Sequence, residues 1–194
     1  MSNDAVDNGK RRFLTIATSV VGAVGAGFVA VPFVGSWNPS AKAQAAGAPV
    51  EVALDKLEEG QMIKVEWRGK PVFVVKRSQG VIEALQDKKD GLKDIDSTKY
   101  PKQQPEYVDK INRSIRPDIS VLVGICTHLG CVPQYLKEGE VDWGGGFFCP
   151  CHGSRFDLAG RVHTGVPAAK NLEVPPYSYL SDERIIIGVD QEVA

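Results

Sequence analysis

The stretches CTHLGC, residues 126–131, and CPCHGS, residues 149–154, decide how the rest of the chain is interpreted. They hold all four cysteines of the 194-residue chain and two of its three histidines. Six candidate ligands do not suit one structural zinc ion, which takes about four, or two zinc ions, which take about eight. A [4Fe–4S] or plant-type [2Fe–2S] cluster takes about four cysteines and leaves both histidines unused. The pattern indicates that each motif supplies one cysteine and one histidine, and that two cysteines remain.

The N-terminal segment has the composition of a membrane anchor. Residues 1–12 are polar and end in Lys10-Arg11-Arg12, whereas residues 13–37 carry no charge. As a helix, residues 13–37 would be about 37 Å long, which is enough to cross a hydrocarbon core of about 30 Å. Because the basic residues precede the apolar run, the positive-inside rule predicts a cytoplasmic N-terminus and a main domain on the other side of the membrane.

The basic cluster also resembles a twin-arginine export signal, in a variant form whether Lys10-Arg11 or Arg11-Arg12 is taken as the pair. Such signals carry folded proteins, which suits a domain that takes up a cofactor before it crosses. The A-x-A match at Ala41-Lys42-Ala43 leaves cleavage as the alternative. We expect an uncleaved anchor, because the apolar run exceeds the roughly 7–15 residues usual in a signal peptide. In the oxidising compartment outside, the two remaining cysteines should pair.

The rest of the chain has the pattern of a mainly antiparallel β domain at residues 50–194, which follows a flexible tether at residues 38–49. Alternating side chains at 62–67 predict a half-buried strand, and residues 71–75 predict its return strand. Both cysteine motifs then fall on loops between strands. Further strands are predicted at residues 81–85, 119–125, 172–174, 177–180 and 184–189.

Residues 86–118 carry many charges and break the strand pattern. We predict that most of this stretch is a surface insertion, with a short helix at 105–113 that has Pro105 in its first turn. The charge of the whole chain is balanced, with 23 basic and 24 acidic residues. No basic surface for nucleic acid is therefore expected.

The two motifs together resemble the paired signature of Rieske iron–sulfur proteins. The likeness is closest to the bacterial iron–sulfur subunit of the cytochrome bc complex, and it includes the anchor, the tether, WRGKPVFV at 67–74 and NLEVPPY at 171–177. The resemblance implies one [2Fe–2S] cluster in a cluster-binding part at about residues 124–170. It also implies the roles of six residues: Cys126 and Cys149 bind one iron, His128 and His152 bind the other, and Cys131 and Cys151 form a disulfide.

The resemblance implies two more residues beside the cluster. Ser154 matches a serine that donates a hydrogen bond to a bridging sulfide, and such bonds tune the reduction potential. Phe156 lies where many relatives have a tyrosine that donates to a ligand cysteine. Because Phe156 has no hydroxyl, we expect a lower potential than in relatives with the tyrosine. His163 lies outside both motifs, and we expect a surface or loop residue that does not bind the cluster.

By the same resemblance, His152 hydrogen-bonds ubiquinol and accepts its proton, and the electron passes to cytochrome c1. Leu129, Gly130 and Gly153 would form the tip that docks on cytochrome b, with Pro167 in a covering loop nearby. The implied setting is a dimeric respiratory complex in the bacterial inner membrane, with the head on the periplasmic side and the anchor in lipid.

Two alternatives stay open from the sequence. One is the Rieske small subunit of another exported oxidoreductase, such as an arsenite oxidase, and copurification with a di-haem b cytochrome would distinguish it. The other is a zinc-stabilised binding module without a redox role, which would be colourless and silent in electron paramagnetic resonance.

Overall fold

A computed structural model describes residues 7–88 and 90–190 of the chain. The part of the predicted cytoplasmic segment at residues 1–6 lies outside the described residues, as does the end of the predicted head at 191–194. Contacts between Cα atoms divide the chain into two units, Met1–Ala45 and Ala46–Ala194. The boundaries inferred from the sequence remain predictions.

The first unit consists mainly of one long helix, α1, Asn8–Gly35. The Asp7 carboxylate caps it by accepting hydrogen bonds from the backbone N–H groups of Gly9 and Lys10, which have no partner inside the helix. The helix is long and apolar enough to cross a membrane. A short second helix, α2, Ala41–Ala46, lies inside the predicted tether, where the Ser40 hydroxyl accepts the Ala43 N–H at 3.2 Å. The tether is therefore partly helical, and its flexibility remains a prediction.

The described part of the second unit forms three antiparallel sheets of three strands each, which confirms the mainly β fold. The sheet orders are β1-β9-β8, β2-β3-β4 and β5-β6-β7. The strands are β1 Val50–Ala53, β2 Met62–Trp67, β3 Lys70–Lys76, β4 Ile119–Val123, β5 Gln134–Leu136, β6 Gly146–Cys149, β7 Ser154–Phe156, β8 Tyr177–Ser181 and β9 Arg184–Ile187.

The predicted strands at 62–67 and 71–75 are confirmed, and they pair as an antiparallel hairpin with the predicted alternation of exposed and buried side chains. Lys64 and Glu66 are exposed, while Trp67 on the opposite face is buried. The turn residues Arg68 and Gly69 both have positive φ angles, 51° and 70°, as a tight two-residue hairpin turn requires. β3 continues the sheet to β4, all five residues of which are buried. The sheet thus leads directly into the first cysteine motif.

The prediction of a strand at 81–85 is wrong, because this stretch lies in helix α3, Gln79–Asp87. The Ser78 hydroxyl accepts the Val81 N–H at 3.2 Å and so caps the helix. Val81, Ile82 and Leu85 are its buried residues, at a spacing that puts them on one helical face. The strand predicted at 172–174 is also absent: its backbone is irregular, although Leu172 and Val174 are buried.

Most described residues of 86–118 are exposed or half-buried, as a surface insertion predicts, but Leu92, Asp94 and Arg113 are buried in the head. The prediction of a helix at 105–113 is wrong, because this stretch is built of turns, and a 3₁₀ turn, Pro101–Gln103, precedes it. Arg113 is completely buried and donates to the Leu172 carbonyl at 2.7 Å and the Gln103 carbonyl at 3.2 Å. Burial lowers the pKa of Arg113 to about 10. The guanidinium serves as an internal crosslink between loops.

Two more buried arginines hold the loops of this unit. Arg77 donates to the Asn112 carbonyl at 2.9 Å and the Ser114 hydroxyl at 2.7 Å. Arg161 forms a buried ion pair with Asp157 at 2.8 Å and also donates to the carbonyl of Leu85 in α3. These contacts satisfy buried carbonyl groups that lie outside the sheets.

The core connects the central sheet to the sheet that carries the second motif. The rings of Phe73 on β3 and Phe147 on β6 stack with centroids 5.5 Å apart. Gly124, which follows β4 and precedes the first motif by two residues, faces the Phe73 ring so closely that a Cβ atom would collide with it. The chain therefore passes from β4 toward the first motif through a position that has no room for a side chain.

Candidate metal centre

The two cysteine motifs fold into matching turns. In the first, the Gly130 N–H donates to the Cys126 carbonyl at 3.0 Å, and in the second the Gly153 N–H donates to the Cys149 carbonyl at 2.9 Å. Both glycines have positive φ angles, 85° and 74°, which most side chains disfavour. Cys149 ends β6 and Cys126 follows β4 by three residues, and each loop turns back within five residues of its first cysteine.

Cys126 and Cys149 form the buried floor of the site, and both carry free thiols. Burial raises the pKa of the Cys126 thiol. The neighbouring Cys149 thiol raises it further, whereas hydrogen bonds from the His128 backbone and the Ser154 hydroxyl oppose the rise. Both thiols are therefore shielded from solvent, and polar groups of the two motifs lie close to the Cys126 sulfur.

Cys131 and Cys151 form a disulfide between the two loops, which confirms the predicted pair. The Sγ atoms of Cys131, Cys149 and Cys151 all lie within 4.8 Å of one another. Proximity alone would make these three a candidate metal site. Because two of them are joined to each other, only Cys149 of this group can supply a thiolate ligand.

The side chains of His128 and His152 meet on the outer side of the two loops. Their ring centroids are 4.8 Å apart and the ring planes are nearly perpendicular, at 87°. His152 is exposed and His128 is half-buried. Two buried thiols and two adjacent imidazoles are the donor set of a Rieske [2Fe–2S] cluster, in which the histidines bind one iron and the cysteines the other. The residues present fit this group.

Ser154 begins β7 and is completely buried. Its Oγ accepts the Ala168 N–H at 3.1 Å, so its own hydrogen is directed elsewhere. Ser154 pairs with Cys149 across β6 and β7, and its hydroxyl lowers the pKa of the nearby Cys126 thiol. Phe156, at the other end of β7, is fully buried opposite Phe147.

The predicted docking tip is open to solvent in this structure. Leu129 is 71% exposed and Pro167 is also exposed, while Gly130 and Gly153 form the turns beside the histidines. Val132, which is 48% exposed, adds apolar surface that the sequence reasoning did not identify. An apolar side chain with this exposure is typical of a contact surface. Docking itself remains a prediction.

His163 lies outside the named helices and strands, as expected of a loop residue, but it is not fully at the surface. Its ring is half-buried and packs edge-on against Trp143, with centroids 5.3 Å apart. Its backbone pairs with Leu92 in an isolated bridge. Burial lowers the pKa of His163 to about 4. That His163 does not bind the cluster remains a prediction.

Sequence reasoning also missed two side chains that hold the loop above the motifs. The Thr127 hydroxyl donates to the Lys170 carbonyl at 2.5 Å. The Lys93 ammonium donates to the Val166 carbonyl at 2.6 Å and the Ala168 carbonyl at 2.7 Å. No local pattern distinguishes Lys93 from the other lysines of its segment, so only the structure identifies it.

Comparisons with known proteins agree with this geometry. Residues 98–177 match the family model of the Rieske [2Fe-2S] domain, and residues 1–40 match the one described as "Ubiquitinol-cytochrome C reductase Fe-S subunit TAT signal". A ubiquinol-cytochrome c reductase iron-sulfur subunit of Allochromatium vinosum is 54% identical over 98% of this chain and 94% of its own length. The subunit of that name from Bradyrhizobium diazoefficiens is 43% identical over 92% of this chain and 94% of its own.

Among solved structures, a chain of a hyperthermophilic respiratory Complex III is 27% identical over 88% of this chain and 98% of its own, with a TM-score of 0.47. The two curated relatives and both family models agree on one family. Neither a zinc-stabilised module nor the small subunit of another exported oxidoreductase is retained. The chain belongs to the iron–sulfur subunits of ubiquinol–cytochrome c reductase, as a Rieske [2Fe–2S] electron-transfer protein of that complex.

Proposed function

We propose that the head receives one electron and one proton from ubiquinol at a pocket of cytochrome b and delivers the electron to cytochrome c1. The observation that carries this proposal is the pairing of the His128 and His152 rings beside the exposed Leu129. This arrangement puts titratable groups at the surface, next to an apolar contact residue. The relatives named above support the choice of quinol as substrate.

In the proposed site, Cys126 and Cys149 bind one iron, and His128 and His152 bind the other. When bound, the cluster supplies a one-electron acceptor of relatively high potential, because neutral imidazoles replace two thiolates. The buried cysteines keep water away from the thiolate side. The disulfide between Cys131 and Cys151 holds the two loops at a fixed separation.

His152 is the proposed catalytic residue, since its ring is the more exposed of the two. The ring nitrogen that does not bind iron would hydrogen-bond the quinol hydroxyl and accept its proton. A histidine suits this role because its pKa lies near physiological pH and is sensitive to nearby charge. Leu129, Gly130, Gly153 and Pro167 would form the apolar rim that excludes water from the bound quinol.

The setting is proposed from the N-terminal segment. Helix α1 would span the inner membrane with its basic end in the cytoplasm, so that the head lies in the periplasm. Residues 38–49 would let the head reach cytochrome b and cytochrome c1 in turn, within a dimeric complex. Copurification of the full-length chain with both cytochromes would test these partners.

The docking tip can be tested without disturbing the cluster ligands. Leu129→Asp should lower quinol-dependent cytochrome c reduction at least tenfold in membranes, because a charge would have to be desolvated at the contact. Leu180→Asp is the matched control, since Leu180 is also an exposed leucine, 53% accessible, but lies on β8. An unchanged cluster spectrum with full activity for Leu129→Asp would refute docking through this tip.

A further inference from the structure

Lys93 holds the backbone of the loop that covers the cluster site, which we define as residues 164–170. Its ammonium donates to the carbonyls of Val166 and Ala168, on either side of the peptide group that joins Pro167 to Ala168. The N–H of that peptide group donates to Ser154 Oγ at 3.1 Å. The Ala168 N–H, which reaches Ser154, therefore lies between the Val166 and Ala168 carbonyl groups that accept hydrogen bonds from Lys93.

The hydrogen bond from the Ala168 N–H restricts the direction of the Ser154 hydroxyl. A serine hydroxyl has one hydrogen to donate, and an acceptor position filled by the Ala168 N–H restricts where that hydrogen can point. Ser154 on β7 pairs directly with Cys149, a proposed ligand at the end of β6. A shift of the covering loop would move the Ala168 N–H and release the hydroxyl to rotate.

Lys93 is itself anchored to the elements around the site. Its own N–H donates to the Val162 carbonyl at 2.9 Å, and the neighbouring Gly91 carbonyl accepts the Thr164 N–H at 2.9 Å. Further along, Asn171 donates to the Asp94 carbonyl at 3.0 Å. Because the backbone on both sides of Lys93 is held in this way, its side chain can impose a position on the loop that it contacts.

We propose that Lys93 is a positioning residue of the cluster site, which acts through the Ala168 N–H to direct the Ser154 hydroxyl at the sulfur atoms. The inference rests on the proposed placement of the cluster at Cys126, Cys149 and the two histidines. It also assigns a role to segment 86–118: through Lys93, this segment holds the covering loop at a fixed position relative to the second motif.

The test uses the full-length, cluster-loaded protein. Lys93→Met keeps the length of the side chain but removes the ammonium. We expect its reduction equilibrium constant to fall about fourfold, which is about 35 mV for a one-electron couple at about 59 mV per tenfold change. Hydrogen exchange in a peptide that covers residues 164–170 should become faster. Lys93→Arg should restore most of both properties, because a guanidinium can also donate to two carbonyls.

Lys102→Met is the matched control, because it removes the same charge from an exposed residue of the same segment. We expect it to change the potential less than half as much as Lys93→Met does. If Lys93→Met does not accumulate with its cluster, the reduction potential can be measured on Lys93→Gln instead. Because glutamine keeps a shorter hydrogen-bond donor, we expect a smaller fall in the potential. An equal fall for Lys93→Met and Lys102→Met would overturn the inference.

Combination with Ser154→Ala separates the hydrogen-bond route from a direct effect of charge. If Lys93 acts through Ser154, Lys93→Met should shift the potential less than half as much in the Ser154→Ala background as in the wild type. Equal shifts in both backgrounds would overturn the inference. If Ser154→Ala lowers the potential and Lys93→Met does not, the inference alone is wrong. If Ser154→Ala has no effect, the proposed placement of Ser154 fails, and the role of Lys93 fails with it.

Discussion

His128 and His152 lie on separate loops, yet their rings come within 4.8 Å between centroids. Neither residue lies in a helix or strand. Their contact therefore depends on the disulfide and on the matching glycine turns of the two motifs. A change at either ring should affect the metal centre before it affects the sheets.

Replacement of a proposed ligand should abolish the native cluster signal. His128→Cys would put a thiolate where a neutral imidazole is required, and Cys149→Ser would remove a buried sulfur. We expect both variants to lose the wild-type electron paramagnetic resonance spectrum. His163→Gln is the control and should keep the spectrum, because the His163 ring packs on Trp143 and is not a proposed ligand. A wild-type spectrum from either ligand variant would show that the ligand assignment is wrong.

Phe156→Tyr should raise the reduction potential. A hydroxyl that donates to a ligand sulfur withdraws electron density and stabilises the reduced cluster more than the oxidised one. A charge-assisted hydrogen bond is worth roughly 1.5–3 kcal/mol in total, and a difference of about 1 kcal/mol between redox states corresponds to about 40 mV. Ser154→Ala should lower the potential by a similar amount. Voltammetry of the full-length protein measures both, and a Phe156→Tyr potential at or below wild type would contradict the argument.

Arg113→Lys should destabilise the head although it preserves the charge. Arg113 satisfies carbonyls of Gln103, Ala159 and Leu172, and a lysine ammonium cannot match the fork that reaches all three. We expect the free energy of unfolding to fall by about 2–4 kcal/mol, since buried carbonyls lose their donors. Arg116→Lys, at a more exposed ion pair with Asp118, should cost less than about 1 kcal/mol. Chemical denaturation compares the two, and equal losses would contradict the prediction.

Residues 13–37 should remain in the mature protein. The helix Asn8–Gly35 covers all but the last two residues of the predicted anchor. Intact-mass spectrometry of protein from membranes should therefore give a mass that includes this helix. A mature N-terminus at Gln44 would indicate cleavage after Ala43 and a head without its anchor.

The cysteine motifs and the strand alternation could be interpreted from the sequence because each depends on residues close together in the chain. Lys64 and Glu66 alternate with apolar neighbours, and the structure gives them the expected face. The short run at 81–85 was ambiguous, since five residues fit a buried strand or one face of a helix. Ser78, a helix cap three residues before Val81, carried the signal that would have decided it.

Segment 86–118 could not be interpreted locally, because its charged residues contact distant parts of the chain. Arg113 bonds to Leu172, and Lys93 bonds to Val166 and Ala168. Charged side chains are usually exposed, so a prediction from composition places such a segment at the surface. These side chains are instead used as donors to loop carbonyls, and that use depends on tertiary structure.

The closeness of Cys149 to both halves of the disulfide implies an order of assembly. An empty head that meets an oxidant has three sulfur atoms within 4.8 Å and therefore a choice of partners, whereas iron bound by Cys149 would remove that choice. We therefore expect loading to precede oxidation, in keeping with the proposed export of an already folded chain. We expect oxidation of the empty protein to give mixtures that include Cys149, and oxidation of the loaded protein to give the Cys131–Cys151 pair alone. Disulfide mapping by mass spectrometry tests this expectation. If oxidation of the empty protein gave the Cys131–Cys151 pair alone, oxidation would not need to follow cluster loading.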